Sequence, residues 1–159
     1  MAFQLILISG LPGCGKTSLA KSIVTNSRLN IKHFEADDYF TSNGVYKHNQ
    51  EEIQLAHDAC IANTRQALLD TTVDKVIVAN TFIRMHERQP YVDMFLEIDH
   101  VTEISFQYPC NGTGSTKDIP QEKLEIMRSR LQYPPLSFMR ALREEKARIF
   151  ESNRFIRIS

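Results

Sequence analysis

Residues 8–22 read ISGLPGCGKTSLAKS, and within them Gly10, Gly15, Lys16 and Thr17 fit the spacing G-x-x-x-x-G-K-[ST]. Each residue type has a physical task at its place. Glycines at 10, 13 and 15 permit backbone conformations and close approaches that a Cβ would obstruct. Successive N–H groups can then point inward around phosphate oxygens, aided by the positive end of the helix that follows. Lys16 supplies a mobile cation for β and γ phosphates, Thr17 offers a hydroxyl to Mg²⁺, and Ser18 comes next on the helix. Cys14 fills a loop position, either as a small side chain that fits or as a thiol beside a helix N-terminus and a cation. At average residue frequencies the pattern arises by chance in fewer than about 1% of chains of this length. The run therefore calls for a nucleoside triphosphate, ATP first, with Mg²⁺.

Holding a phosphate does not say where it goes. The discriminating residues are Asp37 and Asp38, about 20 residues beyond the loop at the expected end of a second strand. A carboxylate there could take the proton of an attacking hydroxyl or hold a water of the Mg²⁺ shell. The pair equally suits helix N-caps or surface turns, and position alone leaves both readings open. Arg84 and Arg88 follow the third apolar run, where they could touch an acceptor phosphate or simply face solvent. Tyr39, Phe40 and Tyr46 could stack on a base or build local core, the latter being favoured for Phe40. The five histidines have no metal-cage spacing, and no Ser-His-Asp or Cys-His nucleophile is suggested.

The elements that must position these residues alternate. Apolar runs at 3–9, 31–40, 74–82 and 103–108 read as strands, and 154–158 as a possible further one. Helical character occupies 16–27, 51–70, 84–97, 121–132 and 137–152, with Pro90 confined to a first turn or breaking its helix. Asn43-Gly44 is the strongest turn signal, and 109–120 has the composition of a flexible, lid-like loop. Strands alternating with helices imply an α/β fold with a parallel sheet covered on both faces. With no linker or repeat, residues 1–159 read as a single domain.

Nineteen basic and nineteen acidic side chains cancel, so no global basic field draws nucleic acid, which modestly favours small acceptors. Residues 1–113 hold nine Lys/Arg against thirteen Asp/Glu, a balance of −4, and residues 114–159 hold ten against six, a balance of +4. That asymmetry reads as solvated basic helix faces or as a C-terminal part leaning over an anion. Three scattered cysteines, no signal-peptide pattern and no membrane-length apolar run point to the cytoplasm.

GLPGCGKTSLA, FEADDYFTSNGVYKHN, AH, VIVANT and RQPYV, taken together, resemble the polynucleotide-kinase-like P-loop proteins. That group includes the kinase domain of phage polynucleotide 5′-hydroxyl kinases and the kinase-like domain of vertebrate ubiquitin-ligase-binding proteins. The resemblance runs from about residue 4 to 96 and resumes weakly at IPQEKLEIMRSR. It implies a three-layer αβα sandwich, a P-loop NTPase of the nucleotide/polynucleotide kinase type with about five parallel strands. It makes Asp37 the general base toward the acceptor and, with Thr17, a metal-side residue. Asp38, Tyr46, Asn80, Arg84 and Arg88 would lie on the acceptor side.

Two departures stand out. Similar proteins carry Asp and a second Asn around NT, where this chain has Ala79-Asn80-Thr81-Phe82. Their lid clamps the donor with arginine, where this chain offers Lys117, then Arg128 and Arg130 further along. The leading expectation is a Mg²⁺-dependent kinase moving the γ-phosphate of ATP onto a hydroxyl, a nucleic-acid 5′-hydroxyl first. A modified DNA base, nucleoside or other small alcohol is the close alternative. An ATP-binding switch or interaction module with little catalysis is the alternative of another class.

Overall fold

The computed structural model describes residues 1–42, 45–109 and 120–158. Strand β1 (Gln4–Ile8) leads through the glycine-rich loop into helix α1 (Lys16–Thr25), and β2 (Ile31–Phe34) follows. A 3₁₀ turn at Ala36–Phe40 leads into the two-residue strands β3 (Thr41–Ser42) and β4 (Val45–Tyr46). Then come α2 (Ile53–Leu69), β5 (Lys75–Ala79), a 3₁₀ turn at Met85–Arg88, α3 (Gln89–Glu97) and β6 (Glu103–Gln107). Helices α4 (Gln121–Arg130) and α5 (Leu136–Ile158) flank Pro134-Pro135.

The four long strands form one parallel sheet in the order β2-β5-β1-β6. β1 is apolar and buried from Leu5 to Ile8 because both of its faces are covered. Leu5 and Leu7 pack with Val76 and Val78 against α2 and α3, while Ile6 and Ile8 pack with Ile77, Ala79 and Ala20 toward α1. Helices thus cover both sides of the sheet, giving the expected three layers. Leu142 of α5 joins the first core, and Lys146 on that helix is buried with its ammonium donating to the carbonyls of Phe95 and Ile98 at the end of α3. Pro90 sits in the first turn of α3, where its missing N–H costs nothing.

Three expectations change. The run 31–40 leaves the sheet after Phe34, because Ala36 N–H donates to Asn80 Oδ1 at 2.8 Å and Glu35 N–H to Asp38 Oδ2 at 3.0 Å. Both donors are thereby lost to a ladder, and the chain tightens into a 3₁₀ turn. Residues 154–158 continue α5 rather than forming a strand, so the described sheet has four strands instead of about five. No Gly or Pro interrupts 136–158, and propagating a helix is easier than nucleating a distant strand. Helix 84–97 is split, its first turn being 3₁₀. Asn43-Gly44 and most of the lid-like loop, Lys117 included, lie outside the described residues. Among those described, no helix is long and apolar enough to cross a membrane.

Candidate functional site

The glycine-rich loop leaves β1 between its two neighbouring strands. Ser9 N–H donates to Gln107 O at 3.0 Å and Gly10 N–H to Thr81 O at 3.1 Å. Gly10 has φ 152°, and a Cβ there would stand 2.4 Å from Cys14 Sγ, so the thiol occupies the space glycine leaves. Cys14 is only 5% exposed and acts as a small packing side chain under the loop. Gly15, at φ 98°, turns the chain into α1. Lys16 Nζ donates to the carbonyls of Gly10 and Leu11, both at 3.0 Å. Neutral carbonyls hold an ammonium less strongly than phosphate does, so an incoming triphosphate can take it over.

Thr17 and Ser18 are exposed at the start of α1, and the Thr17 hydroxyl donates to Glu35 Oε1. Sequence reasoning passed over Glu35, which ends the run before the Asp pair and is mostly buried. An acidic residue at the end of a strand near the loop was the signal available. His33 Nε2 lies 3.3 Å from the same carboxylate oxygen.

Asp37 is half-buried on the 3₁₀ turn, with the Tyr46 hydroxyl 3.5 Å from its Oδ1. Asp38 does different work: its carboxylate takes the Glu35 N–H and fixes the turn. Burial raises its carboxyl above the usual range, with that N–H bond pulling the other way. Asn80 is buried, its Oδ1 on Ala36 N–H and its Nδ2 3.7 Å from Cys60 Sγ. It therefore holds the Asp37 turn rather than facing the mouth of the site. Phe40 is core, touched at 5.3 Å by the Tyr39 ring and at 6.3 Å by that of Tyr46, which stays 45% exposed.

The arginines separate into two groups. Arg88 is 1% exposed, with its guanidinium donating to Ser9 Oγ (3.2 Å), Gln132 O (2.9 Å) and Arg84 O (3.2 Å). It anchors the base of the loop. Arg84 and Arg130, with His86, Glu87, Ile83, Ile126 and Met127, line a cleft of about 310 Å³ between the Met85–Arg88 turn and α4. Gln132 holds the two walls together, its N–H on Ile83 O at 2.6 Å and its Oε1 on Met85 N–H at 2.9 Å. Glu87 is engaged by the Arg84 N–H at 2.5 Å. Among the described residues neither the Arg84 nor the Arg130 guanidinium has an ion-pair partner. Arg128 is exposed on α4 and does not line this cleft.

The oxygens that meet at the loop, the Thr17 hydroxyl and the Glu35 carboxylate, are hard donors and suit Mg²⁺ rather than a thiophilic metal.

Residues 5–107 match the family model AAA_33, described as an AAA domain. A human relative, NEDD4-binding protein 2, is 30% identical over 105 residues, 66% of this chain but 6% of its own length. The chain therefore spans a small part of that relative. Among solved structures, Kti12 of Chaetomium thermophilum in complex with ADP-AlF3 superposes with a TM-score of 0.57 at 15% identity, covering 93% of this chain and 96% of that one. The Pnkp1/Rnl/Hen1 RNA repair complex gives 0.54 at 19% identity, covering 96% of this chain and 47% of that one. At these identities the structures speak for the fold.

Proposed function

The chain belongs to the AAA domain family, with a P-loop kinase-like α/β fold, and on that premise we propose that it is an ATP- and Mg²⁺-dependent kinase acting on a hydroxyl. One observation carries the reading. Neighbouring residues at the end of β5 anchor both halves of the reaction: Thr81 O holds Gly10 of the donor loop, and Asn80 Oδ1 holds Ala36 beside Asp37. Donor and base are thus fixed to one rigid strand end, which is what in-line transfer needs.

In the transfer the acceptor oxygen bonds to the γ-phosphorus while the bond to the β,γ-bridging oxygen breaks. ADP leaves, and the acceptor's proton passes to the Asp37 carboxylate. Lys16 and the loop N–H groups hold the oxygens of the moving phosphoryl. Mg²⁺, when bound, would neutralise charge on the β and γ oxygens, and Thr17 with the Glu35 carboxylate beside it would hold it.

The acceptor we favour is a nucleic-acid 5′-hydroxyl, a reading supported by the cleft whose lining begins at Ile83, two residues beyond Thr81. Its apolar floor suits a base, and its two guanidiniums suit the phosphate of the next nucleotide. The protein would act as one domain, in the cytoplasm. The test is transfer from γ-labelled ATP to 5′-hydroxyl DNA and RNA, hydroxymethylated-base DNA and a panel of nucleosides and small alcohols. Label is expected on an oligonucleotide. Arg84→Ala and Arg130→Ala should each raise its KM about 10-fold, the value of one strong phosphate contact. Preferential labelling of a nucleoside or small alcohol, indifferent to both arginines, would move the acceptor to that class. A catalytically idle ATP switch is the second reading. It is favoured by the lack of a carboxylate at Ala79, and it predicts ATP binding with no label on any acceptor.

A further inference from the structure

Phosphoryl transfer by a P-loop ordinarily needs a carboxylate facing the loop Thr across the metal. The two strands that flank the loop supply none. At the end of β5, Ala79 is buried against Ala20 of α1, Asn80 is turned to Ala36, and Thr81 meets Gly10 through its carbonyl. At the end of β6 stand Gln107, Tyr108 and Pro109. Among the described residues, an acidic side chain does reach this edge from one strand further out, on the turn after β2.

The acidic residues of that turn are already divided among tasks. Asp38 spends its carboxylate on the Glu35 N–H, and Asp37 faces Tyr46. Glu35 reaches back across the edge and accepts the Thr17 hydroxyl. Its backbone is pinned from both sides, by Asp38 at its own N–H and by Asn80 at the N–H of Ala36. The carboxylate is mostly buried, so its rotamer is held. A side chain fixed in this way is preorganised toward the one P-loop oxygen that a metal ion would claim.

We propose that Glu35 is the metal-side carboxylate of this chain, which beside Thr17 would accept a hydrogen bond from water of the Mg²⁺ shell and replace an acidic residue absent from β5. The inference rests on ATP·Mg²⁺ binding at the loop and leaves Asp37 to the acceptor. It assigns the carboxylate to the residue that follows β2, a strand that does not pair with β1.

The experiment measures ATP affinity by calorimetry with Mg²⁺ and again with chelator, no acceptor being present. Wild type should bind more tightly with metal. Glu35→Gln, which keeps size and can still meet Thr17, should lose about 10-fold or more of that metal-dependent gain. Its metal-free affinity and melting temperature should match wild type. Asp37→Asn should keep the gain. Glu35→Asp, charged but one methylene shorter, should retain part of it. The Mn²⁺·ATP complex gives a second readout, since Glu35→Gln should alter its electron paramagnetic spectrum and Asp37→Asn should not.

The proposal is overturned if Glu35→Gln weakens ATP equally with and without metal, or leaves the gain intact. Loss of the gain in Asp37→Asn instead would move the ligand to that residue. A wild type indifferent to metal overturns it as well. Because no acceptor enters the measurement, failure of the kinase reading appears elsewhere, as ATP·Mg²⁺ bound through Glu35 with no phosphoryl transferred.

Discussion

Replacing Asp37 by Asn is expected to lower kcat for phosphoryl transfer by about 10²–10⁴-fold, the usual worth of a general base, with ATP affinity unchanged. Asn is isosteric and can still meet Tyr46, whose hydroxyl stands 3.5 Å from Asp37 Oδ1. What it cannot do is take a proton. The main-chain contacts that hold the turn come from Asp38 and Asn80, so the substitution leaves them in place. Steady-state kinetics with the best acceptor, alongside ATP titration, reads both quantities. A fall in kcat with KM for ATP constant places Asp37 in the transition state alone. Equal loss of ATP affinity would make Asp37 a donor-side residue, and the division of labour with Glu35 would collapse. A residual rate close to wild type would remove the base altogether.

The loop was legible because its chemistry is local. Gly10, Gly13, Gly15, Lys16 and Thr17 act through their own backbone and side chains within eight consecutive residues. The sheet was legible for a similar reason, since strands buried on both faces are apolar without alternation. The apolar run 31–40 read as one strand because nothing near it announces that Asn80, 44 residues away, takes the Ala36 N–H. A local contact decides which acid does what, because the Glu35 N–H, three residues back, donates to the Asp38 carboxylate. Asp37 and Asp38 are adjacent and alike in sequence, yet one is left facing Tyr46 and the other is consumed as a cap on Glu35.

Phe82 shows the limit from the opposite side. Its φ is 46°, a left-handed backbone conformation that a bulky side chain seldom adopts and asparagine tolerates. The resemblance had marked this position as departing from an asparagine. The cost, about 1–2 kcal/mol, is offset by burial of the ring, with Tyr91 edge-on at 5.6 Å and the Arg88 guanidinium 5.6 Å from its centroid. Local propensity argues against Phe here, and only the tertiary partners explain it.

Arg88 itself should show the largest effect on stability. Sequence position suggested an acceptor contact, yet the side chain is closed off from solvent. Burial lowers its affinity for a proton, but a guanidinium keeps its charge. Among the described residues no carboxylate pairs with it, so carbonyls, a hydroxyl and an aromatic face carry the compensation. Arg88→Met keeps an apolar stem of similar length and removes every donor. It takes the guanidinium from Gln132 O and Ser9 Oγ beneath the loop, and leaves Arg84 O with the Glu87 N–H. Bonds to a charged group are worth about 1.5–3 kcal/mol each, set against relief of the guanidinium's desolvation. The expected net loss is about 2–4 kcal/mol, read as a lower urea midpoint with the slope retained. Arg88→Lys, which can reach only some of these acceptors, should fall between. Because Ser9 directly precedes Gly10, ATP affinity should weaken in parallel with stability. If Arg88→Met unfolds at the wild-type urea concentration and raises only the KM of the acceptor, the residue is a substrate contact after all. The buried anchor described above would then be wrong.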